Sequence, residues 1–301
     1  MSSIKQKFSS FYDNVFDSYE KWLFVPVAIF VLCLGVLGAS YYNNGEMVEK
    51  GIDFTGGSEI QFQIPASVTK SDVQQVFSQD FESVNVRTMS EEGKSKWMLV
   101  QTKTTGQEFD DYTGKVEDIL EQNNIDLQSD VNIRTVGGAV SSTFLLEAQI
   151  ATAVAFLVMS TAIFIAFRDF IPSIAVILSA FADITFALAG MSLFGIELTL
   201  GSLAALLMLI GYSVDTDIVL STRVLKEKEE SLKERIKESI LTGTTMSAGG
   251  ILAFTILLLV STSPVLDKIA AVMIMGLVAD MPITWLGNAA ILKMHDEGRF
   301  R

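Results

Sequence analysis

The chain has 301 residues, of which 50% are hydrophobic and 19% charged, and its formal net charge is −13. Soluble domains carry roughly a quarter charged residues, and here the charge is confined mainly to residues 43–135 and 223–238. This composition excludes a single soluble globule, a disordered chain and a basic nucleic-acid binder. The single Cys33 and the single His295 exclude a disulfide framework, a CxxC site and a zinc cluster.

The first apolar run covers residues 22–42 and is long enough to cross a bilayer. It lacks the short apolar core and the small-residue cleavage site of a secretory signal, so we interpret it as an uncleaved anchor helix. After a polar segment of about a hundred residues, further apolar runs lie at about 145–167, 171–192, 198–220, 240–260 and 269–292. The sequence therefore predicts a polytopic α-helical membrane protein with six spans, TM1 at 22–42 and TM2–TM6 within 145–292.

The distribution of basic residues predicts the orientation of these spans. The loop 221–239 carries six Lys and Arg residues, and Arg168 and the tail 293–301 add more on the same side, whereas the short loops of the other side offer only Lys268. Short cytoplasmic loops are enriched in Lys and Arg. We therefore expect both termini, with the segment 1–21 and the tail, to be cytoplasmic and residues 43–144 to be extracytoplasmic, in the cell membrane.

The polar segment 43–144 has its own pattern of elements. Ile60, Phe62 and Ile64 alternate with polar residues in a strand that ends at Pro65. A helix at 69–80, strands at 83–89 and 96–102, a helix at 108–123 and a strand at 130–136 follow. This βαββαβ order predicts an inserted α+β domain of the ferredoxin-like arrangement, and its acidic surplus is interpreted as a solvated face.

Four carboxylates lie within the predicted spans and are the candidate ion-coupling residues. A charged Asp at the centre of a spanning helix costs roughly 2.5–3.5 kcal/mol on insertion scales, and no Lys or Arg occupies a comparable depth in the sequence. Such a carboxyl becomes protonated, binds a cation or faces a wet cavity. The alternative is a neutral Asp that only bonds a neighbouring helix. The candidates are Asp183, Asp215, Asp217 and Asp280.

Helix geometry divides the neighbouring pair Asp215 and Asp217. Two helical residues are separated by about 200°, so the two side chains lie on different faces. Asp215 shares a face with Met208, Gly211 and Val219, while Asp217 is on the side of Ser213 and Ser221. We expect one carboxyl to line the bundle and the other to face a partner subunit. Small-xxx-small spacing predicts close helix contacts at Gly201, Ala204, Ala205 and Gly211, and at Gly243, Ser247 and Gly250.

Two motifs carry a resemblance to a known family. The first is GIDFTGG, which begins at Gly51, contains Asp53 and ends in Gly56 and Gly57; the second is Gly211-Tyr212-Ser213-Val214. Together with Phe167-Arg168, Asp183 and Phe194-Gly195-Ile196-Glu197, in this order and spacing, they make the chain resemble the SecF branch of the SecD/SecF protein-export family in the resistance–nodulation–division (RND) superfamily. The resemblance covers nearly the whole chain.

This resemblance implies a non-enzymatic subunit that forms a complex with SecD beside a SecYE-type translocon. It also implies that the outer domain contacts translocating polypeptide. The subunit is further expected to be coupled to an ion gradient, with protons as the preferred ion. Bacterial relatives continue the second motif with Asn-Asp-Thr, whereas this chain has Asp215-Thr216-Asp217, a pattern like the archaeal branch. The region around Met246 lacks the base that bacterial relatives carry.

Asp215 occupies the position of the acid in the corresponding SecD motif and is the preferred coupling residue, with Asp217 and Asp183 assisting. Two alternatives remain open: an assembly subunit that carries no ions, and half of a small-molecule RND exporter. No cofactor, metal or nucleic acid is expected, and the bilayer is the surrounding medium.

Overall fold

The computed structural model describes residues 12–13, 15–92, 95–104, 112–227, 229–261 and 263–299. Most of the predicted N-terminal segment, residues 1–11, and the last two residues of the tail lie outside this set. The chain divides into two units. A membrane unit combines residues 1–49 with 151–301, and a small unit comprises residues 50–150.

Six stretches of helix are long and apolar enough to cross a membrane, which confirms the predicted six-helix architecture. Short helical turns at Tyr19–Trp22 and Ile52–Thr55 precede the first long helix and the first strand, respectively. The other elements, in chain order, are α1 (Phe24–Asn44), β1 (Gly57–Pro65), α2 (Lys70–Phe77), β2 (Asn85–Glu92), β3 (Ser95–Thr102), α3 (Tyr112–Gln122), β4 (Asn132–Val136), α4 (Gly138–Phe167), α5 (Phe170–Phe194), α6 (Leu200–Lys226), α7 (Leu232–Val260), α8 (Pro264–Pro282), a π-helix (Ile283–Asn288) and α9 (Ala289–Asp296).

Local sequence explains where the membrane helices begin and end. The Asp169 side chain accepts a hydrogen bond from the Ile171 amide and caps α5, which ends at Gly195 in the left-handed conformation. Thr199 and Ser202 form a capping box at the start of α6. These caps fix short connections, so α5 and α6 are antiparallel neighbours.

The small unit contains a four-stranded antiparallel sheet with the strand order β2-β3-β1-β4. Together with the order βαββαβ, this is the ferredoxin-like arrangement that the sequence predicts. The first helix ends at Phe77, three residues earlier than expected, and β2 runs from Asn85 to Glu92 instead of 83–89. Residues 105–111, which include the expected start of the second helix, are outside the described residues.

The alternating apolar residues of β1 form the core of the small unit. Ile60, Phe62 and Ile64 are fully buried, and Phe77 of α2 stacks on Phe62 with ring centroids 5.8 Å apart. Val73 and Phe77 are both buried on the inner face of α2. One face of the sheet is thereby covered by helices.

Within the membrane unit, α5, α6 and α8 form the centre of the bundle. About half of the apolar window of each of these helices is buried (50% for α6 and 56% for the spans of α5 and α8), against 6% for the window of α4. Small residues bring the central helices together, since a Cβ built on Gly276 of α8 would lie 2.2 Å from Leu209 Cδ2. The side chains that α5, α6 and α8 direct inward therefore meet in the protein interior.

Candidate functional site

Three of the four predicted carboxylates converge in the membrane unit. Asp183 of α5, Asp217 of α6 and Asp280 of α8 are each 0% exposed. We call these three residues the carboxyl cluster. Asp215 is exposed on another face of α6, so the predicted division of the pair between two faces is what the structure contains. The structure thus places the preferred coupling residue away from the other three.

Regular helix geometry explains the α6 side of the cluster. Ser213, Thr216, Asp217 and Leu220 recur at intervals of three or four residues, and all are buried. Ala204, Met208, Gly211 and Asp215 follow the same spacing on the opposite side, and all are exposed. We call this second set the open α6 face. The same helix therefore presents one polar face to the interior and one small-residue face to its surroundings.

A helical irregularity aligns the α8 side of the cluster. Asp280, Thr284 and Asn288 are four residues apart, and the π-helix that follows Pro282 contains the last two. A step of four residues is slightly more than one turn of an α-helix and slightly less than one turn of a π-helix. The rotation gained in the α-helical part is therefore offset in the π-helical part, and all three polar side chains stay on one line towards Asp217. Isolated π turns are frequent at functional sites.

Hydroxyl groups connect the three carboxyls. Ser213 Oγ donates a hydrogen bond to Asp183 Oδ2. Thr284 Oγ1 lies 2.9 Å from Asp217 Oδ1 and 3.0 Å from Asp280 Oδ1, and it bridges these two groups. Asn288 Nδ2 donates to Asp217 Oδ1 at 2.7 Å.

Asp280 is the most extensively contacted member of the cluster. Thr216 Oγ1 lies 3.1 Å from both of its oxygens, and Ser247 Oγ of α7 lies 3.3 Å from Oδ2. Two helices, α6 and α7, and the π-helix therefore supply polar partners to this one carboxyl.

The cluster has no positive counter-charge within reach. Among the described residues, no Lys or Arg nitrogen lies within 4.0 Å of any of its carboxylate oxygens. Asp183 Oδ1, Asp217 Oδ2 and Asn288 Oδ1 are buried without a hydrogen-bond partner. In the described part of the chain, no group of three His, Cys, Asp or Glu side chains has the geometry to hold a metal ion.

Residues that the sequence analysis did not select complete the site. Thr284, Asn288 and Ser247 all contact the cluster, and so does Thr216. A signal for two of them exists in the sequence, because polar residues repeat every four positions through the apolar sixth span. The contribution of Ser247 depends on the crossing of α7 with α8, which no single-helix pattern contains.

The second motif packs α6 against α7. Tyr212 Oη donates to the backbone oxygen of Met246 at 3.2 Å, and a Cβ on Gly250 would lie 2.6 Å from the same hydroxyl. Gly211 has no other part of the chain within 4 Å of its built Cβ. The region around Met246 thus approaches Tyr212 through its backbone.

The first motif belongs to the small unit and has a structural explanation there. Gly56 and Gly57 have φ values of 76° and 117°, and a Cβ on Gly57 would lie 2.2 Å from the backbone oxygen of Thr102. Only glycine fits such a backbone at such an approach. Asp53, in the helical turn that Gly51 begins, is 2% exposed and forms an ion pair with Arg134 of β4.

The fold and the site together define a class of protein: a six-helix membrane protein with a ferredoxin-like insertion and buried intramembrane carboxyls. The model of the family described as "Protein export membrane protein SecD/SecF, C-terminal" matches residues 115–298. The chain belongs to this SecD/SecF family, and it is a protein-export membrane subunit of the SecF type.

Curated relatives carry the name "Protein-export membrane protein SecF". The protein of Methanothermobacter thermautotrophicus is 37% identical over 95% of this chain and 96% of its own length. That of Methanocaldococcus jannaschii is 35% identical over 92% of this chain and 95% of its own length.

A similar fold is found in the crystal structure of SecDF from Thermus thermophilus, "a translocon-associated membrane protein". The TM-score is 0.74 at 22% sequence identity, with 94% of this chain and 38% of the SecDF chain covered. This chain therefore spans well under half of that protein.

Proposed function

We propose that this subunit acts with SecD to promote translocation of preproteins across the cell membrane, coupled to a proton gradient through the carboxyl cluster. The observation that carries the proposal is the set of three buried carboxyls, two of which share the hydroxyl of Thr284, with no base beside them in the described residues. A buried charge without a counter-ion is strongly unfavourable, so the cluster favours protonation or a bound cation.

The hydroxyl hydrogens are too few for three ionised carboxylates. Thr284 has one hydrogen but contacts Asp217 and Asp280 equally closely. Thr216 Oγ1 lies closer to the backbone oxygen of Ser213, at 2.7 Å, than to Asp280. Each hydroxyl has one hydrogen, which it can donate to its nearest acceptor. Its contact with a second carboxyl is then favourable only if that carboxyl carries a proton and donates it to the hydroxyl oxygen. We infer that the Asp217–Asp280 pair holds one proton between its members.

Movement of that proton can drive a rearrangement of helices. Gain or loss of the proton changes the number of hydrogen bonds that hold α6 to α8 and the π-helix. One elementary charge crossing a potential of 100 mV releases about 2.3 kcal/mol. A few protons per cycle suffice to shift an equilibrium between two packings of the bundle.

We propose different roles for the acids that the sequence analysis grouped together. Asp217 and Asp280, bridged by Thr284, are the proposed proton carriers, and Asp183 assists through Ser213. Asp215 is not in the cluster; it lies on the open α6 face beside Gly211, where a neighbouring helix can approach closely. We propose that a helix of SecD occupies this face and that Asp215 couples the two subunits.

The proposed topology follows the basic residues of the loops. Both termini face the cytoplasm, and the small unit is extracytoplasmic, where it meets emerging polypeptide near a SecYE-type translocon. The domain limits proposed from the sequence, 43–144 for the outer domain and 145–292 for TM2–TM6, refer to this topology.

The test measures export of a secreted reporter in cells depleted of the subunit and rescued at matched membrane levels. We expect Asp217→Asn and Asp280→Asn each to reduce export at least about tenfold while SecD still co-purifies. Asp118→Asn removes an exposed acid of α3 and is the matched control. Normal export by both cluster variants would contradict proton coupling through the cluster.

One observation favours an assembly role as a second candidate. The open α6 face places a carboxyl in an apolar, small-residue surface, an arrangement that also suits a purely structural contact with SecD. In that case Asp215→Asn weakens co-purification, and the Asp217 and Asp280 variants export normally.

A further inference from the structure

The segment before α1 packs against the membrane unit. We call its described residues, 12, 13 and 15–22, the N-terminal strap. Tyr12, Val15 and Tyr19 are only 3%, 4% and 2% exposed. They recur at intervals of three and four residues, so they lie on one face of a helical segment. The strap therefore has a buried apolar face, and the sequence analysis assigned it no function beyond its place before the first span.

Polar contacts hold the strap to the first turn of α7 and to α9. Tyr12 Oη donates to the backbone oxygen of Lys233 at 2.6 Å, and Lys233 Nζ lies 2.7 Å from Asp13 Oδ1. Lys293 Nζ of α9 donates to the backbone oxygen of Phe16 at 2.6 Å and lies 4.2 Å from the centre of the Phe16 ring. Basic residues that serve as topology signals in the sequence thus have specific partners in the strap.

The buried face of the strap packs against the π-helix. The turn Tyr19–Trp22 contacts both the π-helix and α9, and Trp285 of the π-helix belongs to the apolar cluster that contains the buried strap residues. Thr284 and Asn288, in the same π-helix, contact the carboxyl cluster through Asp217. One short helix therefore contacts the strap and the carboxyl cluster at the same time.

The π-helix depends on such support from its surroundings. π turns are rare, and they compete with the regular α-helical winding of the same residues. Rewinding residues 283–288 as an α-helix would rotate Asn288 away from the line that it shares with Asp280 and Thr284. Packing against the sides of the π-helix therefore decides whether both polar side chains face the carboxyl cluster.

We propose that the N-terminal strap is a positioning element of the carboxyl cluster. The docked strap holds the π-helix so that Thr284 and Asn288 face Asp217, and release of the strap withdraws both partners from that carboxyl. Tyr19 is the main positioning residue, and it acts through Trp285. The effect on export rests on the proposed proton coupling, whereas the effect on the π-helix does not.

The first measurement follows the π-helix itself in the purified full chain. The chain has three tryptophans, so Trp22→Phe and Trp97→Phe leave Trp285 as the single reporter. We expect Tyr19→Ala to shift its fluorescence emission to longer wavelength, because water reaches the indole when the strap leaves. Tyr19→Phe should keep the wild-type emission, since Tyr19 Oη has no hydrogen-bond partner among the described residues.

The second measurement follows the carboxyl cluster by infrared spectroscopy. Tyr19→Ala should move the carbonyl stretch of the protonated carboxyl to higher wavenumber, because that group loses hydrogen bonds when the π-helix moves. Reporter export should fall about tenfold, as expected for the loss of one or two hydrogen bonds to a carboxyl. Tyr19→Phe should restore both. A purely structural strap would lower the amount of folded protein without moving the band of the folded fraction.

A second release variant guards against misfolding. Val15→Asp places a charge in the buried face of the strap and leaves the six long helices unchanged, and Asp17→Asn, at an exposed strap position, is the control. Faster tryptic cleavage after Lys21 verifies release, and circular dichroism verifies that the helices are retained. We expect Val15→Asp to reproduce both spectral shifts of Tyr19→Ala and Asp17→Asn to reproduce neither.

The two measurements separate this inference from the proposed function. Released straps with unchanged Trp285 emission and an unchanged carboxyl band would overturn the positioning proposal and leave proton coupling intact. A shift of Trp285 emission in a chain that has no protonated-carboxyl band would support positioning of the π-helix and contradict proton coupling.

Discussion

Thr284 is the residue that links the two proposed proton carriers. Its hydroxyl lies within 3.0 Å of oxygens of both Asp217 and Asp280. Thr284 itself lies in an apolar stretch of the sixth span. Loss of the hydroxyl leaves two buried carboxyls without their common partner, at a cost of roughly 1–3 kcal/mol.

We therefore expect Thr284→Val, which keeps the shape of the side chain, to reduce export about tenfold, and Thr284→Ser to retain most of it. The measurement is reporter export at equal membrane levels. The proposed bridging role would be wrong if the Val and Ser variants behaved alike.

The backbone conformation at Gly57 leads to a second prediction, for the stability of the small unit. Its φ of 117° and the 2.2 Å approach of a built Cβ to Thr102 O leave no space for a side chain. Gly57→Ala should destabilise the small unit by about 1–3 kcal/mol, seen as faster proteolysis within residues 50–150 of the membrane-embedded chain. Gly137→Ala is the control, since nothing lies within 4 Å of its built Cβ. Equal proteolysis of both variants would show that a small backbone shift removes the clash at residue 57 with little loss of stability.

At the scale of elements, the position of the π-helix depends on α7. A Cβ on Gly243 would lie 2.3 Å from Trp285 Cζ2, so α7 packs directly against the π-helix at this point. Displacement of Trp285 would also displace Thr284 and Asn288, which face Asp217.

Gly243→Ala and Gly249→Ala form a matched pair within α7, because both gain helix propensity while only the first meets a neighbour. We expect Gly243→Ala to lower both the amount of folded protein and export, and Gly249→Ala to be neutral. Thermal unfolding of the purified chain in detergent provides the direct comparison, and a neutral Gly243→Ala would contradict the proposed rigidity of the contact.

The elements differ in how well the sequence predicts them. The six spans and the βαββαβ order follow from long apolar runs and from strand alternation such as Ile60, Phe62 and Ile64, which are local signals. The assignment of the acids to buried and exposed faces does not follow from such local signals, because Asp215 and Asp217 stand in the same polar stretch of α6. Whether Asp215 or Asp217 faces inward is decided by neighbouring helices. The π-helix similarly depends on Pro282 and on packing against Gly243 and Pro26.

At the scale of the whole molecule, the open α6 face is the surface that we propose for contact with SecD. Gly211 lies on it with nothing within 4 Å of a built Cβ, which leaves room for a neighbouring helix to approach closely beside Asp215. A bulky residue at Gly211 should therefore block association with SecD without disturbing this chain, because its built Cβ meets nothing within 4 Å.

We expect Gly211→Leu to reduce co-purification of SecD about tenfold, whereas Gly35→Leu, at an equally open position of α1, should have no effect. Co-purification from membranes at equal expression of both subunits measures this directly. Retention of SecD by Gly211→Leu would assign the contact to another surface.

The central claim is that the carboxyl cluster holds a proton inside the membrane unit. Infrared spectroscopy of the purified full chain at neutral pH tests it through the carbonyl stretch of protonated carboxyl groups, which exchange in deuterated water shifts. We predict such a band in the wild-type chain, retained in Asp215→Asn and lost when the three residues of the carboxyl cluster, Asp183, Asp217 and Asp280, are all replaced by Asn. A wild-type chain without the band, or a band that survives the triple replacement, would contradict the proposed mechanism.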